Sequence, residues 1–206
     1  QDLPASVAVF GAGVIGLVLG QALHRLGARV RLFGQGGRIG GISDPVIRQY
    51  AVDVIGNELP ISLDAKDVRI DRDGDEVIVH FVDANGSVSE RFDYLLAATG
   101  RVPKLDRLSL ENSGLSLDAR GKPAYDAHTT RAGDSHIFIA GDANNDRPIL
   151  HEAADEGRIA GQNAAAYPDV LTHVRREPLG IVFCDPQIAF AGQRHAQLVA
   201  HGVDFA

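Results

Sequence analysis

"SVAVFGAGVIGLVLGQALHRLG", residues 6–27, decides how this chain folds. From Leu3 to Leu23 no charge appears, which is long enough to cross a bilayer. Gly16 and Gly20 even share the G-x-x-x-G spacing of paired membrane helices. Against that reading, Pro4, Gly11, Gly13, Gly16 and Gly20 crowd the run, and each glycine weakens a helix by about 1 kcal/mol relative to alanine. No basic cluster or aromatic belt frames it, and no signal-peptide cleavage pattern follows. A strand, a tight turn and a helix account for every glycine.

"SVAVF" (Ser6–Phe10) is a β-branched run suited to a buried parallel strand. The helix expected over Val14–Leu26 stops at Gly27, and "ARVRLF" (Ala28–Phe33) makes the next strand. The unit is βαβ with G-x-G-x-x-G at its first turn. In that motif Gly11 allows the turn, Gly13 lets the backbone approach a pyrophosphate, and Gly16 lets the helix lie close to the strand. The helix N-terminus, with Val14 and Ile15, adds free N–H groups and partial positive charge. An acidic residue at the end of the second strand would read an adenine ribose. Gly34 stands there instead, followed by "QGGRIGG". The glycine leaves room for a 2′-phosphate, and Arg38 either meets that phosphate or stays solvated on the loop.

Composition sets the outer bounds. The 206 residues suffice for one or two domains; 45% are hydrophobic and 23% charged. The net charge of −7, with no basic cluster to offset it, argues against nucleic acid or an anionic membrane as partner. The single cysteine, Cys184, allows neither an internal disulfide nor a Cys-x-x-Cys pair, and fits a reducing, cytoplasmic setting. The chain opens on Gln1 and has no methionine, so we expect either that a first residue has been removed by processing or that the chain is a piece of a longer protein.

Beyond the first unit, "SDPVIRQYAVDVIGNEL" (Ser43–Leu59) has a helix signature, with Asp44 as cap and Pro45 at the first position. The alternating stretch from Asp67 to Thr99 reads as a meander of about three strands around Asp73-Gly74 and Asn85-Gly86. "YLLAATG" (Tyr94–Gly100) returns to the buried sheet. "HIFIAGD" (His136–Asp142) reads as a short buried strand, Pro148–Tyr167 as an alanine-rich helix, and Leu179–Gly192 as a further strand-containing unit.

These pieces, in this order, resemble the flavin-dependent pyridine nucleotide–disulfide oxidoreductases, in particular dihydrolipoamide dehydrogenase-like members. The matching stretches are "GAGVIGLVLG", "LLAATGRVPKL", "LSLENSGLSLDARGKP", "IFIAGDANNDRPILHEAADEGRIAGQNAA" and "IVFCDPQIAFAG". The resemblance implies an α/β fold: a Rossmann-like three-layer NAD(P)-binding domain with a β-meander over residues 1–100. It further implies a returning segment of an FAD-binding domain over 101–177 and the start of an interface domain over 178–206. It implies hydride passage between NAD(P)H and FAD, a disulfide substrate such as lipoamide, and a homodimeric parent. Gly141 and Asp142 would contact the flavin cofactor, and Leu150 and His151 would bring a helix N-terminus to the isoalloxazine ring. Gly100 joins Gly11, Gly13, Val14, Ile15, Gly16, Gly34 and Arg38 among the cofactor-binding positions.

The departures shape the expectation equally. The family's second glycine fingerprint, its redox-active cysteine pair and its C-terminal His and Glu are not in this stretch. We therefore expect an internal part of the parent chain, inactive alone, with no catalytic residue and no metal ligand of its own. Val18 stands where relatives carry Glu near the nicotinamide. Cys184 reads as a packed core thiol. "HEAAD" (His151–Asp155) lacks the second histidine of a zinc signature, and the acidic group at Asp71, Asp73, Asp75 and Glu76 reads as a solvated hairpin tip. Two other functions remain open at this point: a non-catalytic NAD(P)-binding module, and a flavin NAD(P)H oxidase without the disulfide step.

Overall fold

A computed structural model describes residues 3–205. The chain divides into two compact units, residues 1–100 with 178–206, and residues 101–177.

In the first unit β1 (Ser6–Phe10), α1 (Val14–Arg25) and β2 (Arg29–Phe33) form the βαβ element. α2 (Pro45–Glu58) and a two-residue β3 (Ile61–Ser62) follow. β4 (Lys66–Asp73), β5 (Glu76–Asp83) and β6 (Gly86–Phe92) make an antiparallel meander, and β7 (Tyr94–Ala97) returns. The main sheet has the order β3-β2-β1-β7 and its pairs are parallel, with Ser6 opposite Arg29 and Val7 opposite Tyr94. α1 has only 12 residues, and no helix among the described residues is long and apolar enough to cross a membrane.

Period-2 alternation along the central strands explains the three layers. Val7, Val9, Val30 and Leu32 face one way, into a core shared with Leu17, Ala51 and Ile55 of the helices. Ala8 and Phe33 face the other way and pack with Val79, Phe81 and Phe92 of the meander. Both faces are covered, so these strands read as nearly continuous apolar runs. Each buried valine, leucine, isoleucine or phenylalanine among them contributes about 1.5–3 kcal/mol by leaving water. At the edge of the meander, Ser6 and Asp93 exchange hydrogen bonds, amide to carboxylate at 2.9 Å and amide to hydroxyl at 3.0 Å. This clamp sets where the chain turns from β6 into β7.

The α2 start matches its sequence signal: Asp44 Oδ1 accepts from the amides of Val46 and Ile47 at 2.7 and 3.0 Å. Residues 178–206 supply the hairpin β8 (Leu179–Val182) and β9 (Ile188–Ala191) and the short α4 (His195–Ala200). Val182 and Cys184 are buried in the helix-side core, so the thiol packs as expected. Gln21, also buried, bridges α1 to this segment, donating to the Asp185 carbonyl at 2.8 Å and accepting from its amide at 2.7 Å.

The second unit consists mostly of loops, with α3 (Leu150–Ala166) as its main regular element. The strand expected over His136–Asp142 does not form. Phe138 makes only an isolated bridge with Arg131, and Gly141–Ala143 coils into a 3₁₀ turn. A strand needs a ladder beside it, and within this unit only the stretch around Thr130–Ala132 lies alongside. That stretch gives Ile139 N to the Thr130 carbonyl and Ala132 N to the Ile137 carbonyl, each at 2.9 Å.

Candidate functional site

Where β1 ends and α1 begins, the backbone makes the expected glycine turn, and its three glycines have different reasons to be glycine. Gly11 has φ +112°, and a methyl there would overlap the Ala98 carbonyl. A methyl on Gly16 would overlap the Gly11 carbonyl. Both are required by the fold itself. Gly13 is extended (φ −83°, ψ −166°), caps α1 without a side-chain hydrogen bond, and has no atom within 4 Å of where a Cβ would stand. Its open side is what close approach of a ligand needs. The amides of the first turn of α1 have no intrahelical acceptor, and they carry the positive end of the helix dipole.

The turn opens on a cavity of about 640 Å³. Gly11, Gly13, Gly34, Arg38 and Gly100 all line it. Val14 and Ile15 are half-exposed on the first turn of α1 and Gly16 is buried under it; none of the three lines the cavity. Phe10 and Phe33 form part of the wall, stacked with centroids 4.7 Å apart, and Val68 and Ile70 of β4 form another. The β4 residues were not anticipated, although their i, i+2 spacing on an exposed strand is the signal that marks a shared face.

Gly34 refines the reading of the ribose end. A Cβ there would come within 2.8 Å of Leu63 Cδ2 and 3.1 Å of Ala12 Cβ. The room left by the missing side chain is thus filled by the protein, and packing alone disfavours a carboxylate at this position. Gln35 and Arg38 are the exposed polar side chains at this rim of the cavity. Arg38 Nε donates to the Gln35 carbonyl at 3.4 Å, and the guanidinium pairs with no carboxylate among the described residues. Val18, where a carboxylate was expected in relatives, packs partly buried against the helix-side core.

In the second unit, Gly141, Asp142, Leu150 and His151 surround the start of α3. Gly141 (φ +68°) is buried, with a hypothetical Cβ 3.1 Å from Ala153 Cβ, which lets the turn lie against the helix. Asp142 is half-exposed, one oxygen 2.7 Å from Arg101 Nη1. Leu150 and His151 are exposed at a helix start that no side chain caps. A carboxylate with a spare oxygen can accept a hydrogen bond from a hydroxyl, and uncapped amides favour negative charge beside them.

Beneath this turn lies a charge cluster that sequence reading missed. Glu156 is 1% exposed, and its Oε2 accepts from the Gly141 amide at 2.6 Å and from Asn144 Nδ2 at 2.7 Å. Its other oxygen sits 2.6 Å from Arg175 Nη2, which also meets Glu152 at 2.8 Å, while Nη1 reaches Asp146 at 3.0 Å. Burial opposes the Arg175 charge, but the hydrogen bonds and charges of Glu152, Glu156 and Asp146 outweigh it and hold its pKa above the ordinary value. Burial first, and the Asp146 and Glu156 charges second, push the Tyr125 hydroxyl up to about 12. No single sequence window shows this cluster, because Arg175 comes from beyond the helix.

Comparison with known proteins follows the same outline. A family model described as pyridine nucleotide-disulphide oxidoreductase matches residues 1–157. The mercuric reductase of Bacillus cereus is 31% identical over 99% of this chain and 32% of its own length. The dihydrolipoyl dehydrogenase of Geobacillus stearothermophilus is 30% identical over 98% of this chain and 43% of its own. Among solved structures, LpdA from Mycobacterium tuberculosis superposes with a TM-score of 0.80 at 25% identity, covering 98% of this chain and 43% of that one. The HOCl-induced flavoprotein disulfide reductase RclA from Escherichia coli, at 23% identity and a TM-score of 0.82, adds likeness of fold alone. The chain spans about a third to under half of the length of these relatives.

Proposed function

This chain belongs to the pyridine nucleotide-disulphide oxidoreductase family, and from that premise we propose that its first cavity takes NAD(P)H. The observation that carries the proposal is Gly13: a glycine that the fold does not require, at an uncapped helix N-terminus, opening on a cavity of about 640 Å³. The Gly11–Gly13 turn, at the positive end of α1, receives the diphosphate. Arg38 and Gln35 stand at the adenosine ribose, and Arg38 favours a 2′-phosphate there. Val68, Ile70 and Phe10 keep water from the cavity wall.

In the second unit Asp142 would accept a hydrogen bond from a ribityl hydroxyl of FAD, and the uncapped amides at Leu150 and His151 would stabilise negative charge on a reduced flavin. The flavin, when bound, supplies a two-electron acceptor for the hydride of NAD(P)H. Residues 1–100 thus serve as the NAD(P)-binding domain, 101–177 as part of the FAD-binding domain and 178–206 as the opening of an interface domain in a homodimeric, cytoplasmic parent. The parent's substrate on this reading is a disulfide such as lipoamide, and this stretch alone does not turn over.

Calorimetric titration with NADH and with NADPH tests the first cavity. We expect saturable binding, tighter for NADPH. Absence of binding by both at roughly 1 mM, which corresponds to about 4 kcal/mol, overturns the reading; equal affinities overturn the role of Arg38. A parent reading frame without a second glycine fingerprint and a Cys-x4-Cys pair overturns the disulfide assignment. Loss of the cysteines alone favours a flavin NAD(P)H oxidase.

A further inference from the structure

The loop from Gly34 to Ile42 has two working faces, both within the first unit. On one, Gly34, Gln35, Arg38 and Gly41 line the larger cavity. On the other, the loop is fastened to the segment 178–206. Arg194 Nη1 donates to the Gly41 carbonyl at 3.0 Å, and a Cβ on Gly40 would come within 2.6 Å of Ile188 Cδ1. Just beyond, the Ala196 amide donates to Ser43 Oγ at 3.3 Å. A second, smaller cavity of about 290 Å³ lies on this side, and Gly41 lines both.

Ile39, 1% exposed, anchors the loop in the helix-side core, and the Arg194 bond to Gly41 adds a hold just past that anchor. Gly36, Gly37, Gly40 and Gly41 all have positive φ, so the unfastened backbone has many alternative conformations. Its ends are tied by short bonds, Gly34 N to the Ser62 carbonyl at 3.0 Å and Gly40 N to the Ala12 carbonyl at 2.8 Å. Its middle has only long ones: Gly37 N to the Leu63 carbonyl and Arg38 N to the Gln35 carbonyl, both 3.4 Å. Arg194 is itself well placed to act as a fixed post. Its guanidinium carbon is 3.8 Å from the Phe190 ring centroid, and its amide donates to Gln197 Oε1 at 2.9 Å. Val182 and Cys184, in the same hairpin, are anchored in the core.

We infer that Arg194 is a positioning residue for coenzyme choice: through the Gly41 carbonyl it fixes the loop that presents Gln35 and Arg38 to the nucleotide. Arg194 touches no ligand itself. The inference rests on the reading of the larger cavity as the NAD(P)H site, and it makes the hairpin and α4 part of that site's specificity.

The test uses Arg194→Met, which keeps an unbranched stem and removes the donor, and Arg194→Lys, which restores a charged donor. Two readouts are taken on each folded variant. One is the affinity for NADPH and for NADH. We expect Arg194→Met to bind the preferred coenzyme about tenfold more weakly, as loss of one charge-assisted hydrogen bond implies. The preference ratio should move toward one, and Arg194→Lys should recover part of both. The other is the rate of tryptic cleavage after Arg38 without nucleotide, expected to rise several-fold in Arg194→Met. A loss of packing that only lowered the melting temperature would move neither the ratio nor the local cleavage. Unchanged ratio and unchanged cleavage overturn the inference. If the unsubstituted chain binds neither coenzyme, the proposed function fails; cleavage after Arg38 then still decides whether Arg194 holds the loop.

Discussion

Replacing Gly11 and Gly13 separately with alanine distinguishes a glycine kept for folding from one kept for a ligand. At Gly11 the new methyl meets the Ala98 carbonyl, and φ is +112°. The unfavourable backbone costs about 1–2 kcal/mol, and the forced shift of packed backbone costs roughly 1–3 kcal/mol more. A total of about 3 kcal/mol lowers the melting temperature of a chain of this size by about 6–12 °C. At Gly13 the methyl meets nothing within 4 Å and the backbone is ordinary. Only the poorer helix cap remains, about 0.5–1 kcal/mol, or a few degrees. For binding, Gly13→Ala sets a methyl where the diphosphate must approach. It removes one charge-assisted hydrogen bond worth about 1.5–3 kcal/mol, so affinity falls roughly 10- to 150-fold. Thermal unfolding by circular dichroism and coenzyme fluorescence titration read the two effects independently. A folded Gly13→Ala that binds within twofold of the parent refutes the ligand role of the turn. A Gly11→Ala as stable as the parent refutes the packing account.

Four further outcomes follow from the same geometry. Gly141→Ala, with φ +68° and Ala153 at 3.1 Å, should destabilise the second unit by about 2 kcal/mol, read by thermal unfolding. Glu156→Leu leaves the buried Arg175 short of a partner and should cost about 3–5 kcal/mol; the double variant Glu156→Leu/Arg175→Met should recover part of it, measured in urea. Cys184, whose thiol burial pushes its pKa up, should react with an aromatic disulfide reagent only after unfolding; prompt native-state reaction contradicts its placement. The Arg25 hydrogen bond holds the Glu58 pKa below the usual glutamate range. A depressed carboxylate gives stability above its unfolded pKa of about 4.3 that is lost as pH falls through the folded value, so Glu58→Gln should flatten the melting-temperature profile in that acid range.

The elements most legible in the sequence were those whose cause is local. The βαβ unit announced itself through β-branched runs and glycine spacing, α2 through Asp44-Pro45, and the meander through alternation and its two turn dipeptides. What stayed hidden depends on contacts distant in the chain. β3 has only two residues and forms because Leu32 and Phe33 lie beside Ile61 and Ser62. The apolar run at His136–Ile139 looked like a strand by composition, yet pairing, not composition, makes a strand. The glycine positions of the candidate site were readable, but the β4 wall, the Leu63 packing against Gly34 and the Glu156–Arg175 cluster arise only once separate segments meet.

β4 runs from the cavity wall to open solvent. Val68 and Ile70 line the cavity, while Gly74, in the tip just past the strand, has φ +59° and nothing within 4 Å of where a Cβ would stand. From Ile70 to that tip the strand extends only about 13 Å. An environment-sensitive dye attached there, or a small reporter domain inserted there, would sit outside the packed layers yet on the same rigid ribbon as two wall residues. The fold thus offers a ready place to convert occupancy of the cavity into an optical signal.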